Sequence, residues 1–336
     1  MPAIRTGAWS AFRAVIHYTT APSPAAACLF ADALLPSLVK SLSSYMGEFF
    51  SVACAACWAL AVVLFRRSGE TLPAFELNLF KNLLATALMV PTILIFHGTG
   101  LPGYSATQWC VVLVSGVIGI AIADTWYLRA LNLMGASRTG VVAMLFSPFV
   151  ILLSMLFLAE SLRPLQYVGF VVVLSGILLV TWRRSRQEVS DRALRVGMAF
   201  GAGSVALMAI GIVMVKPILE EHEFLWTVGL RLAAGAVGML LYVHLSRGWQ
   251  RMALHFRAEQ PWPTIIVASL MGSYVSMILW LAGYKLTQAS IASVLNETAA
   301  AFIVLFAWLL LGEPLSRRKV AGVGLAFLGV SLIVAL

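Results

Sequence analysis

The sequence predicts an all-α membrane protein with ten transmembrane helices, arranged as two inverted five-helix repeats. Three observations predict this fold: a composition too apolar for water, apolar runs long enough to span a bilayer, and an internal repeat. Of the 336 residues, 61% are hydrophobic and 11% are charged, with a mean hydropathy of +0.92. Soluble domains are roughly 45–50% apolar and about 25% charged, so a lipid bilayer is the partner that this composition predicts.

The apolar runs are the evidence for helices. A helix crosses the hydrocarbon layer with about 20 apolar residues, whereas a strand of a membrane barrel alternates over about ten. Each run in this chain is nearly continuous, which favours helices. The predicted spans are 47–65, 75–96, 108–131, 137–158, 164–182, 196–217, 224–245, 262–284, 290–311 and 318–336.

The sequence repeats itself. Residues 126–180 align without a gap onto 279–333 at a shift of 153, with 14 identities in 55 positions. An odd number of spans in each copy places the second copy upside down, as in many secondary transporters, whose sites lie between the repeats. The informative identities are Ser137 with Ser290, Glu160 with Glu313, Gly169 with Gly322 and Gly176 with Gly329.

These halves define the predicted domains. Residues 46–182 form the first repeat, 183–195 a basic linker and 196–336 the second repeat. The apolar stretch within residues 1–45 is too short and too broken to span. We predict an N-terminal extension that is either disordered or not native, with Met46 as the alternative start of translation.

The cations predict an orientation. The formal net charge is +9, and the Lys and Arg residues form short clusters between apolar runs, a pattern typical of membrane loops rather than of a nucleic-acid-binding face. Loops after odd-numbered spans hold 15 Lys and Arg residues, and the other side holds six. The positive-inside rule therefore predicts a protein of the cytoplasmic membrane with both termini outside.

Motifs for metals and nucleotides are not found. The five histidines form neither HxxxH nor HExxH, and no GxxxxGK[ST] loop occurs. Cys54 and Cys57 have CxxC spacing, but they lie in an apolar run with no second pair, so we interpret them as packing residues. The sequence predicts no enzyme, no metal and no cofactor.

Lys81 and Arg231 lie about a turn or two inside predicted spans, where an ionisable group is costly and marks a functional candidate. Lys81 and Arg231 align with each other at a shift of 150. They are predicted to contact an anionic substrate group or to balance nearby acids; the alternative is that their long side chains snorkel to the interface. Asn78 shares a helix face with Lys81 and widens the polar patch.

Two acids break the repeat. Asp124 aligns with Met277, and Glu297 and its neighbour Asn296 align with Met144 and Ala143. A structural polar residue is duplicated with its scaffold, whereas a site for an asymmetric substrate need not be. Asp124 and Glu297 are therefore predicted to couple transport to protons or cations.

Each acid also has a structural explanation. Asp124 could form a salt bridge with Arg129 or Lys81 that only satisfies the bundle, and Glu297 could be a charge near a helix start. The duplicated Glu160 is expected to accept hydrogen bonds from the amides of the helix that follows it.

Aromatic residues flank these charges. Their rings could form walls for a cationic or aromatic substrate, or they could belong to the interfacial aromatic belt. The candidates are Trp126, Tyr127, Tyr274 and Trp280.

Three segments resemble a known family. They are Asp124-Thr-Trp-Tyr-Leu-Arg-Ala-Leu-Asn-Leu-Met-Gly-Ala-Ser137, Ala159-Glu-Ser-Leu162 and Gly312-Glu-Pro-Leu315. They are similar to the EamA-type family of the drug/metabolite transporter superfamily, and the resemblance covers about residues 47–336. It implies ten helices and secondary transport, mostly export of small metabolites, amino acids or amphipathic drugs.

The sequence therefore predicts a proton-coupled exporter of a small organic metabolite or drug that works by alternating access, as a monomer or a homodimer. One alternative is a flippase for a lipid-linked sugar or a phospholipid, because Lys81 and Arg231 could equally hold a phosphate. A membrane enzyme or a scaffold is a weaker alternative, because an inverted repeat favours transport.

Overall fold

Helices form nearly all of the described chain, as the apolar runs predict. The computed structural model describes residues 45–68, 72–98, 100–134, 139, 142–181, 190–246, 248–257, 259–311 and 316–334. Residues 1–44 of the predicted extension, 183–189 of the predicted linker, Ser137 and Glu313 lie outside the described residues.

The helices are numbered in chain order. They are α1 (Met46–Ser68), α2 (Ala74–His97), α3 (Ala106–Gly116, Val117–Ile122 and Ala123–Met134), α4 (Phe146–Phe157), α5 (Pro164–Thr181), α6 (Asp191–Glu221), α7 (Phe224–Leu245), α8 (Trp249–Arg257), α9 (Trp262–Ser269, Leu270–Val275 and Ser276–Leu286), α10 (Ala289–Asn296), α11 (Ala299–Leu311) and α12 (Arg317–Val334).

Seven helical stretches are long and apolar enough to cross a membrane among the residues that the structure describes, and α4 and α5 are shorter apolar helices. Each of the ten predicted runs contains a described helix, while the number of spans stays a prediction. Features that were not predicted include the short helix α8 and an interruption at Glu297 and Thr298 that divides the ninth predicted span into α10 and α11.

π-helical segments interrupt α3 and α9. They comprise Val117–Ile122 and Leu270–Val275, and at the end of each a backbone amide bonds to a carbonyl five residues back. The two segments begin 153 residues apart, which is the shift of the sequence repeat. The two halves therefore share an irregular element as well as aligned residues.

Glycines bring α5 and α12 into close contact. A Cβ atom added to Gly176 would lie 2.6 Å from the carbonyl oxygen of Gly322, and one added to Gly169 would lie 2.9 Å from that of Gly329. In lipid, small residues allow such close approach of backbones, which replaces a hydrophobic driving force between helices.

The largest core cluster joins the two halves of the chain. It contains buried side chains such as Met89 of α2, Ile120 of α3 and Leu232 of α7. Many large apolar side chains outside the core are exposed, including Ile95 at 78% and Phe157 at 73%. Such exposure is expected of surfaces that face lipid. The polar residues considered next lie among these core contacts.

Candidate functional site

An ion pair joins α2 to α3 within the predicted spans. The Nζ atom of Lys81 lies 2.9 Å from Oδ2 of Asp124, and the two side chains are 7% and 19% exposed. Of the two predicted partners of Asp124, the structure therefore selects Lys81. The guanidinium of Arg129 lies instead over the ring of Phe200, 4.6 Å from its centroid.

Asparagines extend this polar contact by one helical turn. Asn78 donates from Nδ2 to the carbonyl oxygen of Ile120 at 3.2 Å, inside the π-helical segment of α3. Asn82 donates to the backbone and side-chain oxygens of Asn78 at 2.9 and 3.0 Å, which fixes the orientation of the Asn78 amide. On its other side, Lys81 has the ring of Trp58, whose centroid is 5.5 Å from Nζ. Lys81 thus meets both an acid and an aromatic face.

Arg231 of α7 is buried, with 1% exposure, so its guanidinium does not snorkel to an interface. Its Nη1 donates to the carbonyl oxygen of Gly211 on α6 at 2.9 Å, and its Cζ lies 5.8 Å from the centroid of the Trp280 ring on α9. Within the described part of the chain, Arg231 forms no salt bridge, and its buried Nε has no hydrogen-bond acceptor. Leaving a buried N–H unpaired costs about 1–3 kcal/mol.

Glycines make room for this guanidinium. A Cβ atom on Gly119 of α3 would lie 3.3 Å from Nη2 of Arg231, and one on Gly211 of α6 would lie 3.2 Å from the carbonyl oxygen of Ser115. The backbones of α3 and α6 are therefore close at the level where Arg231 enters from α7. A larger side chain at Gly119 would compete directly with the guanidinium.

Glu297 lies at the interruption between α10 and α11. Its Oε1 accepts a hydrogen bond of 2.9 Å from the hydroxyl of Ser147 in the first turn of α4. Glu297 is thus in contact with the N-terminal turn of another helix and not in the first turns of α10. Tyr127 lies one turn after Asp124 on α3.

Three predicted site residues have contacts away from these charges. Asn296 donates to the carbonyl oxygen of Ala292 in its own helix at 2.8 Å. The hydroxyl of Tyr274 is hydrogen-bonded to that of Thr92 on α2. Trp126 packs edge-to-face against an aromatic ring of α6. Of the other two predicted aromatics, Trp280 lies beside the guanidinium of Arg231, and Tyr127 lies one helical turn after Asp124.

The hydrogen-bond donors to Glu160 differ from those that the sequence predicts. Its carboxylate accepts from the amides of Ala289 and Ser290 at 3.0 and 3.2 Å, and so caps α10 of the second half. The expectation that it would accept from the helix that follows it, α5, was wrong. The preceding residue, Ala159, has a positive φ of 53° and turns the chain at this loop.

Lys216 is a polar residue that the sequence analysis missed. It was counted among the loop cations, but it is 3% exposed. Its Nζ lies 2.6 Å from Glu220, 3.6 Å from Glu160, and within hydrogen-bond distance of the carbonyl oxygens of Tyr284 and Thr287. Two signals could have identified it: its place inside the run 196–217, and an acid four residues later.

The chain is similar to proteins that are named as transporters. The model of the EamA-like transporter family matches residues 45–182 and 195–335. An uncharacterized transporter of Archaeoglobus fulgidus is 23% identical over 66% of this chain and 76% of its own length. The pseudopaline exporter CntI of Pseudomonas aeruginosa is 27% identical over 60% of this chain and 78% of its own length.

A solved crystal structure has the same fold. It matches with a TM-score of 0.67 at 18% identity, covering 87% of this chain and 96% of that one. The two segments matched by the family model correspond to the two halves that the repeat predicts. On this evidence the chain belongs to the EamA-like transporter family.

Proposed function

We propose that this chain is a secondary transporter that exports a small organic metabolite across the cytoplasmic membrane by alternating access. Its family and its apolar helices make it a multi-pass membrane transporter. Export is favoured because CntI is named as an exporter. The observation that carries the proposal is the buried ion pair of Lys81 and Asp124 inside the predicted spans.

Proton coupling follows from the two acids. Protonation of Asp124 removes the charge that holds Lys81, and so weakens the contact between α2 and α3. Protonation of Glu297 likewise removes the negative charge at the start of α4, where the hydroxyl of Ser147 now donates to it. Each acid thus links its own protonation to a contact between two helices, as alternating access with proton exchange requires.

The substrate and the direction of transport are tested together in cells. Metabolites inside cells that lack the protein are compared with those inside cells that overproduce it. We expect at least one small organic compound to accumulate in the deletion strain and to fall on overproduction. Unchanged metabolites would contradict transport, and depletion on deletion would contradict export.

Coupling is tested with purified protein in liposomes, using a compound identified in that comparison. We expect substrate-driven movement of protons, measured with a pH-sensitive dye. Glu297→Gln retains a hydrogen-bond acceptor for Ser147 but cannot ionise, so proton movement should fall at least about tenfold, or roughly 1.4 kcal/mol. The exposed Glu259→Gln is the matched control and should behave as wild type. Full proton movement in Glu297→Gln would exclude this residue from coupling.

A further inference from the structure

Arg231 lacks the counterion that its repeat equivalent possesses. Lys81 aligns with Arg231, and Lys81 pairs with Asp124 at 2.9 Å. The residue that aligns with Asp124 in the second half is Met277, which packs against the main core cluster as an apolar side chain. Because Met277 stands where the first half has aspartate, the second half lacks the acid that would correspond to the partner of Lys81.

The buried Nε–H bond of the Arg231 guanidinium is without a partner among the described residues. Nη1 donates to Gly211, whereas the buried Nε has no acceptor. The Nε–H and Nη2–H bonds of a guanidinium point the same way, and this pair of parallel donors matches the two oxygens of a carboxylate. The arrangement is therefore suited to a planar anion that binds through two hydrogen bonds.

Charge balance limits the anion to a single negative charge. Lys81 is already neutralised by Asp124, so Arg231 is the cation of this site that is left without an ion pair in the described chain. A buried charge needs a partner, and for Arg231 the described residues do not supply one.

We infer that the transported substrate carries a carboxylate group and that the Nε–Nη2 edge of Arg231 binds it, with the ring of Trp280 beside the guanidinium. This inference rests on the transport function proposed above and adds to it the chemical class of the substrate. Trp280 offers an apolar face to the part of the substrate next to the carboxylate. The site therefore selects organic acids with an apolar or aromatic portion.

The inference is tested by the chemistry of the exported compounds. A deletion strain receives the wild-type chain, Arg231→Gln, Arg231→Lys or Met277→Asp, and intracellular metabolites are measured by mass spectrometry. We expect the compounds that the wild type lowers to be carboxylic acids. Arg231→Gln should leave them at the level of the deletion strain, and Arg231→Lys, which keeps the charge but not the parallel donors, should reduce export at least about tenfold.

Met277→Asp tests the same site without altering Arg231. It supplies an internal carboxylate in the register of Asp124, so it should compete with the substrate and abolish export of the acids. Met277→Leu and the exposed Arg192→Gln are the matched controls and should export as the wild type does. Membrane abundance and size-exclusion profiles of all variants establish that each is folded.

The outcomes separate this inference from the transport proposal. Exported compounds without a carboxylate, phosphate esters included, would overturn the inference and leave transport standing. A folded Arg231→Gln or Met277→Asp that exports acids at the wild-type rate would also overturn it. If no metabolite differs between the deletion strain and cells with the wild-type chain, the transport proposal fails, and the inference fails with it.

Discussion

At the scale of single residues, this protein contains few intramembrane charges, and each described one has a defined contact. Lys81 has an acid and an aromatic ring, Glu297 has a hydroxyl, and Arg231 has one backbone carbonyl and an aromatic ring. The contacts of Arg231 are neutral, whereas Lys81 has a full counterion. The cost of burial is therefore offset more completely for Lys81 than for Arg231.

Asp124→Asn isolates Lys81 in a buried environment. We expect a loss of about 3 kcal/mol in the free energy of unfolding, because removing one partner leaves an uncompensated charge. The measurement is denaturant unfolding of the purified protein in detergent. The exposed Asp191→Asn, in the first turn of α6, is the control and should unfold as the wild type does.

The double variant Lys81→Met with Asp124→Leu is a second test of the ion pair. It removes both charges and should recover much of the stability that Asp124→Asn loses, but it should not transport, because the acid proposed to couple transport is missing. If Asp124→Asn is as stable as Asp191→Asn, the ion pair makes no contribution to stability and this account of α2 and α3 fails.

The sequence identified the intramembrane charges because their cost in lipid does not depend on tertiary structure. It did not identify their partners, since these depend on how each helix is rotated. Trp126 is two residues from Asp124 and faces α6, whereas Tyr127 is three residues away and so shares the helix face of Asp124. The contact of Glu297 with Ser147 joins residues 150 positions apart, which no local pattern reveals.

At the scale of helices, glycines form a close packing groove between α5 and α12. The two helices belong to different halves of the chain, and their backbones are close at two levels, around Gly169 with Gly329 and around Gly176 with Gly322. This part of the fold could be predicted because glycine spacing in an apolar helix is a local signal. The π-helical segments carry no comparable local signal.

Gly176→Ala tests this helix contact. An added Cβ atom would lie 2.6 Å from backbone atoms of α12, so the helices must separate. We expect a loss of about 1–3 kcal/mol in the free energy of unfolding, the usual cost of overpacking. Gly324→Ala on α12 is the matched control, because its Cβ atom would meet nothing within 4 Å. It should be neutral or gain up to about 1 kcal/mol from helix propensity. Equal stability of the two variants would contradict close packing at Gly176.

At the scale of the whole molecule, the order of helices follows the order of apolar runs, and the two segments matched by the family model follow the two halves of the repeat. These features could be predicted because hydrophobic length and internal similarity are properties of the sequence. The unequal distribution of cations is another such property, and it predicts which side of the membrane each loop occupies.

A terminal reporter tests the predicted orientation. A reporter that is active only outside the cytoplasm, fused after Leu336, should be active because the loops with more cations are predicted inside. The same reporter fused after Gly248, in the basic loop that follows α7, should be inactive. Activity of a cytoplasm-only reporter fused after Leu336 would reverse this topology.

The π-helical segments have a mechanical consequence for the molecule. Each wide turn accommodates one surplus residue, so α3 and α9 are a residue longer in sequence than uniform α-helices of the same rise. If the extra residue moves to a neighbouring turn, the side chains between the old and the new π-helical turn rotate by about 100°. The helix on either side stays hydrogen-bonded. Asp124 and Ser276 come within two residues of these wide turns. A shift of the π-helical turn along each helix would therefore rotate Asp124 away from Lys81 and change the direction of the Ser276 side chain. Neither helix would have to unwind.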